Sequence, residues 1–348
     1  MALIDIINVS DIHDNSGYIL EGLTEYTQAR KKEGKGINSV IINGDFIEAK
    51  HYNLMEKCFQ VPEFQQFVQS QNIQDQQQLQ QQVPMIMNAA LQNYTLKSNN
   101  PEVFEQQLEQ YKDNPQALDE INRLAAVGEK LQPIREWGEQ KFASEYTQMN
   151  EKLSSLRSQT SSGRIIGTLG NHDLGEMCKE YLSEVEFING KVTDLEGLKL
   201  FGHANLQGTE AMHGYDMQEV QHLYDVQNDY SQLTDAGIDI AVLHNGIKTD
   251  NPETSMSGYE NVKSIESLVN GSDSIKYVFG GHTHQDKVVQ TDSYTGYASS
   301  HVIGYKHTID TNTKKIVGTK ALLLLPESKI KKYSSILAQS SSGNYYSG

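Results

Sequence analysis

The feature that most restricts the fold is a set of short apolar runs, most of which break at glycine, asparagine or aspartate. ALIDIINV from Ala2, SVIIN from Ser39, RIIGTLG from Arg164, LKLFG from Leu198, DIAVLHN from Asp239, KYVFGG from Lys276 and TKALLLL from Thr319 are of this kind. Runs so short, closed by turn formers, read as strands rather than helices. Several are apolar on both faces, which suits strands covered on both sides in a layered α/β fold. The stretch GYASSHVIGYKHTID, from Gly296 to Asp310, alternates and reads as an antiparallel meander.

Residues 51–163 have a different character: many glutamines, almost no glycine, and helical spacing. Phe64, Phe67 and Val68, then Leu79, Val83 and Ile86, recur at intervals of three and four. Phe142, Tyr146, Met149, Leu153 and Leu156 form the 4-3-4-3 seam of packed antiparallel helices. Pro84, Pro101, Pro115 and Pro133 punctuate the segment, with Asn100-Pro101 and Asn114-Pro115 reading as N-cap and first helical residue. The expected organisation is a discontinuous α/β core of residues 1–50 and 164–326, a helical insertion of about four helices at 51–163, and a C-terminal tail at 327–348 that is small and polar from Ser340. The Gln-rich run from Gln74 to Gln82 reads as a solvated helix face or connector.

The net charge of −16 argues against duplex nucleic acid as the main partner, because phosphate backbones are held by basic surfaces. No run approaches the roughly 18 apolar residues of a membrane span. MALIDIINVSDIHDN lacks a basic flank, so a signal peptide is not expected. Cys58 and Cys178 cannot frame a disulfide scaffold and read as reduced thiols. A soluble cytoplasmic protein is the expectation.

Five motifs follow expected strands: Asp11-Ile12-His13, Gly44-Asp45-Phe46-Ile47-Glu48, Gly170-Asn171-His172-Asp173, His244, and Gly281-His282-Thr283-His284. Open α/β sheets gather ligand groups beyond the carboxyl ends of their strands, so these loops can converge on one crevice. Carboxylates, an amide and several imidazoles suit Mn, Fe, Zn or Co better than calcium or a thiolate zinc site. They also outnumber what one tetrahedral ion needs. Two ions sharing a carboxylate, at a spacing of ~3.5–4 Å, is the economical arrangement.

The ordered set D-x-H, GD-x-x-E, GNHD, H and GHTH resembles the calcineurin-like metallophosphoesterase superfamily, over the α/β portion only. The resemblance implies an α/β fold of two stacked mixed β-sheets flanked by helices, a four-layer sandwich with the helical subdomain inserted. It implies two divalent transition ions, manganese foremost, with iron, zinc, cobalt or nickel as alternatives. Asp11, His13 and His284 would bind the first, Asp45 would bridge, and Asn171, His244 and His282 would complete the second. A hydroxide between the ions would attack phosphorus in line. His172 would protonate the leaving oxygen, Asp173 would orient its ring, Asn171 and His172 would contact the phosphate, and Glu48 would steady a ligand from outside.

GDFIE lacks the tyrosine of purple acid phosphatases and the Asp-Arg-Gly continuation of protein phosphatases. Double-strand-break nucleases append a capping domain after the last histidine motif, and since only KALLLL and a short tail follow here, the resemblance to them is expected to be incomplete. The favoured substrate is a small or single-stranded nucleotide-type phosphodiester. Alternatives are a phosphomonoester, a duplex end, or a non-catalytic scaffold, the last disfavoured because every motif residue is present. The insertion reads as a lid or as an arm for homo-oligomer assembly. Outside the motifs, His51, His203, His213, His222, His301 and His307 read as ordinary polar residues, with His203 and His301 the two candidates for a substrate pocket. Trp137 reads as a packing residue.

Overall fold

The computed structural model describes residues 3–13, 17–47, 54–71, 73, 76–170, 172–173, 175–204, 236–244 and 274–329. They form two compact units that part after Glu48 and after Ser144. The strands are β1 (Leu3–Val9), β2 (Ser39–Asn43), β3 (Arg164–Thr168), β4 (Val185–Phe187), β5 (Lys191–Leu195), β6 (Leu198–His203), β7 (Ile240–Leu243), β8 (Tyr277–Gly280), β9 (Lys287–Gln290), β10 (Thr295–Ala298), β11 (Ile303–Asp310) and β12 (Lys315–Leu323). The helices are α1 (Tyr18–Lys32), α2 (Leu54–Phe59), α3 (Pro62–Ser70), α4 (Gln76–Asn99), α5 (Pro101–Gln110), α6 (Pro115–Gln159) and α7 (Gly175–Tyr181).

The strands build two mixed six-stranded sheets, ordered β12-β11-β1-β2-β3-β4 and β5-β6-β7-β8-β10-β9, flanked by helices. β1 to β4 run parallel, as do β6, β7, β8 and β10. Residues from both sheets share one core: Ile6, Ile41 and Ile166 from the first, Leu200, Val242 and Phe279 from the second. Covering both faces explains the near-continuous apolar strands, and all five residues of β2 are buried.

Two sequence expectations are corrected. GYASSHVIGYKHTID is not a meander: β10 belongs to one sheet and β11 to the other, and β11 pairs with β1 and β12. TKALLLL is not a buried strand. β12 starts earlier, lies at a sheet edge, and buries only Leu322, while Leu324 and Leu325 are buried beyond its end.

In the helical unit, Phe64, Phe67, Val68, Val83, Leu91, Val127 and Leu131 form a separate core. Trp137 lies beneath the Lys57 ammonium, 4.5 Å from its ring centre. Pro101 and Pro115 do begin α5 and α6, and the Asn114 side chain caps α6 by accepting the Ala117 N–H. Pro84 and Pro133 interrupt nothing, because α4 and α6 run through both positions. A helix-interior proline forfeits a backbone hydrogen bond, which a long packed helix can absorb. The sequence boundary at residue 163 differs from the structural one at Ser144. Beyond it, Asn150 bonds Ser183 and the Glu184 N–H, and Arg157 pairs with Glu184, so the end of α6 packs with the sheet unit. None of the helices among the described residues is long and apolar enough to cross a membrane.

Candidate metal centre

Each candidate residue follows the carboxyl end of a strand. Asp11 and His13 follow β1, Asp45 follows β2, His172 and Asp173 follow β3, His244 follows β7, and His282 and His284 follow β8. Asn171 and Glu48 lie outside the described residues.

Backbone bonds tie these loops together. The Asp11 N–H donates to the Gly44 carbonyl and the His13 N–H to the Asp45 carbonyl. Asp45 Oδ1 accepts the His172 N–H at 2.8 Å, and both Asp11 oxygens accept the His282 N–H. Both oxygens of Asp173, the residue expected to orient the His172 ring, are engaged by backbone. Oδ2 accepts from Asp45 and Gly170, and Oδ1 from Phe46, so it pins the second motif to the third.

The joints are tight enough to require glycine. A Cβ on Gly170 would stand 2.2 Å from Asp45 Oδ1, and one on Gly281 would stand 2.2 Å from Asp11 Oδ2. Seven non-glycine residues have positive φ among the described residues, and five are Asp11, His13, Asp45, His282 and His284. Such conformations cost about 1–2 kcal/mol each, and their concentration on five candidate ligands points to a site that over-determines its geometry.

The donor atoms of Asp11, His13, Asp45 and His284 all lie within 4.8 Å of one another. Asp45 Oδ2 is buried, accepts no hydrogen bond, and lies 3.3 Å from Nε2 of both His13 and His244. His284 Nε2 lies 3.3 Å from Asp11 Oδ1 and 3.3 Å from His13 Nε2. His282 packs against His244 at 5.2 Å between ring centres, and His172 against His13 at 4.7 Å.

The tautomers explain these spacings. His244 Nδ1 faces the Asn43 carbonyl, which can only accept, so Nδ1 carries the proton. Nε2 then faces the Asp45 carboxylate, as an N–H in the imidazolium or, once that proton is lost, as a lone pair that could share a divalent ion with it. The charges agree. Burial would raise both carboxyls, but His284 and His244 hold Asp11 below its ordinary range, while His244 and His13 hold Asp45 well below it. Burial would lower His244, but the Asp45 and Asp11 charges push it up to about 10. Burial, then the Asp45 charge, raises Asp173 to about 7. Two buried carboxylates among several imidazoles could hold a cation, and the mixed oxygen and nitrogen donors fit divalent transition ions.

His301 joins this group although its sequence setting gave no metal-ligand spacing. Its Nδ1 lies 2.7 Å from the Asp11 carbonyl and its Nε2 3.0 Å from His284 Nδ1. Its pKa is lowered by burial and by the neighbouring His284 and His13. The sequence marked it only as a candidate for a substrate pocket. His203 is buried at the end of β6, where its carbonyl accepts the His244 N–H.

Residues 135–286 match the family model for calcineurin-like phosphoesterases. That span contains the GNHD, His244 and GHTH motifs and excludes Asp11, His13, Asp45 and His301. No curated protein matches the chain significantly. One solved structure covers 93% of this chain and 100% of its own at 9% identity and a TM-score of 0.50. A Staphylococcus aureus protein assigned as a 5'-nucleotidase, solved with alpha-ketoglutarate, covers 98% of this chain at 12% identity and a TM-score of 0.43; the match spans 58% of that protein. An archaeal phosphodiesterase covers 92% of this chain and 99% of its own at 11% identity and a TM-score of 0.29.

Proposed function

We propose that the chain, whose residues 135–286 match the family model for calcineurin-like phosphoesterases, is a member of that superfamily and hydrolyses a phosphodiester of small or single-stranded nucleotide type at a dinuclear metal centre. The observation that carries the reading is Asp45 Oδ2, buried, without a hydrogen bond, and 3.3 Å from one imidazole of each expected ligand set. Asp11, His13 and His284 would hold one ion, Asn171, His244 and His282 the other, and Asp45 both. Two divalent ions, manganese foremost, would lower the pKa of water and draw off charge gathering on the phosphoryl oxygens.

The chain's own residues supply the rest. His172, buried beside His13, donates a proton to the departing oxygen, which an alkoxide needs and an acidic phenol does not. That capacity favours a diester with a sugar-like leaving group. Asp173 fixes the loop that carries His172 by holding the Asp45, Phe46 and Gly170 N–H groups. Asn171 contacts the phosphate.

The test is a matched assay of bis(nitrophenyl) phosphate and nitrophenyl phosphate on chelator-treated protein, with and without added Mn²⁺. Metal-dependent turnover favouring the diester supports the proposal. Turnover favouring the monoester replaces the substrate assignment, and no metal-dependent turnover of either refutes the reaction class.

A further inference from the structure

We propose that His301 is a positioning residue that sets the tautomer of His284, so that His284 presents an unprotonated Nε2 to the metal centre. The inference rests on the metal-site reading above.

It follows from which atoms can donate. The Asp11 carbonyl can only accept, so His301 Nδ1, 2.7 Å away, carries a proton and donates it. In the neutral His301 ring Nε2 then holds a lone pair. That lone pair is 3.0 Å from His284 Nδ1, which must therefore be the protonated nitrogen of His284. The remaining lone pair of His284 sits on Nε2, the atom 3.3 Å from both Asp11 Oδ1 and His13 Nε2. The main chain of one candidate ligand thus decides, through His301, which nitrogen another candidate offers.

The relay answers a specific weakness. The His284 side chain is 43% exposed, whereas those of His244, Asp45 and Asp11 are 0%, 1% and 0% exposed. A neutral histidine in water prefers its proton on Nε2, the opposite of what this site needs. An outer partner that fixes the ring and its tautomer is the recognised remedy in metal sites. His301 is well placed for it. It lies in the two-residue turn closed by the paired Ser300 and Ile303 backbones, where the chain crosses from β10 in one sheet to β11 in the other.

The experiment uses metal-free full-length protein with ¹⁵N-labelled histidine, reading the His284 tautomer by long-range ¹H–¹⁵N correlation at a pH where the ring is neutral. Wild type should show a protonated Nδ1 and a bare Nε2. His301→Phe should move the proton toward Nε2 and weaken Mn²⁺ affinity, measured by equilibrium dialysis, by roughly 10–100-fold. His301→Gln, whose amide can both accept from His284 and donate to Asp11, should recover most of each loss. A wild-type His284 protonated on Nε2, or a Phe variant with unchanged tautomer and affinity, overturns the proposal. So does X-ray absorption showing that His301→Phe removes one imidazole from the metal shell, since His301 would then be a ligand itself. If wild type binds no metal, the functional reading fails, while the metal-free tautomer still decides the role of His301.

Discussion

Asp11 receives the His282 backbone N–H on both carboxylate oxygens, at 2.9 and 2.8 Å, joining the first histidine motif to the last across 271 residues of chain. Gly281, which precedes that N–H, has no room for a side chain, because a Cβ would lie 1.7 Å from Ser10 Oγ and 2.2 Å from Asp11 Oδ2. Gly281→Ala should displace Asp11 and lower turnover by roughly 10²-fold, the scale of a 1 Å misplacement at a reacting centre. Gly34→Ala, where nothing lies within 4 Å of the added carbon, should cost stability alone. Paired kinetics and melting temperatures check both. Equal activity in the two variants would deny the close approach a functional part.

His172→Ala should retain metal and slow hydrolysis by roughly 10²–10⁴-fold for esters with alkoxide leaving groups. Nitrophenyl esters should be affected little, because nitrophenolate leaves without a proton. Equal losses for both ester types would assign His172 to phosphate positioning instead.

Asp173→Asn should behave differently from His172→Ala. Its carboxylate accepts three buried N–H groups, and an amide presents N–H to some of them, so about 2–3 kcal/mol of stability should be lost. Activity should fall alike for good and poor leaving groups, since the variant loosens the loop rather than removing a proton. Urea titration and the same ester series separate this from ring orientation, which would reproduce the His172 pattern.

The strands of the sandwich core were legible because burial on both faces leaves unbroken apolar runs such as SVIIN and DIAVLHN. β4, β5 and β9 were not, because they are short and partly solvated: β5 buries only Leu195, and β9 buries none of its residues. GYASSHVIGYKHTID misled because alternation reports a half-covered strand and says nothing of which sheet receives it. The ligand motifs were visible as residue types behind strands, and His301 was singled out only as a pocket candidate, because its part depends on the orientation of two rings and a carbonyl. Asp173 was visible as a motif residue, while its three backbone partners emerge only from the fold.

His307 carries a pH prediction independent of the metal site. It stacks on Phe279 at 4.8 Å, and burial, then the Lys306 charge, lowers its pKa to about 3. Below about 6.5 the unfolded chain binds a proton that the folded chain refuses, so stability should fall as pH drops from 6.5 toward 3, by about 1.4 kcal/mol per unit at the steepest. His307→Phe should flatten that part of the profile in urea unfolding. An unchanged slope would place the acid sensitivity elsewhere.

The most direct test of the shared-carboxylate centre is the stoichiometry and affinity of Mn²⁺ binding to metal-free wild type and to Asp45→Asn, read by calorimetry alongside elemental analysis. Two ions per chain should bind wild type, and the Asn variant should lose high-affinity binding of both, together with turnover, because one charge serves both ions. Retention of two tightly bound ions and near-normal turnover by Asp45→Asn would contradict the account.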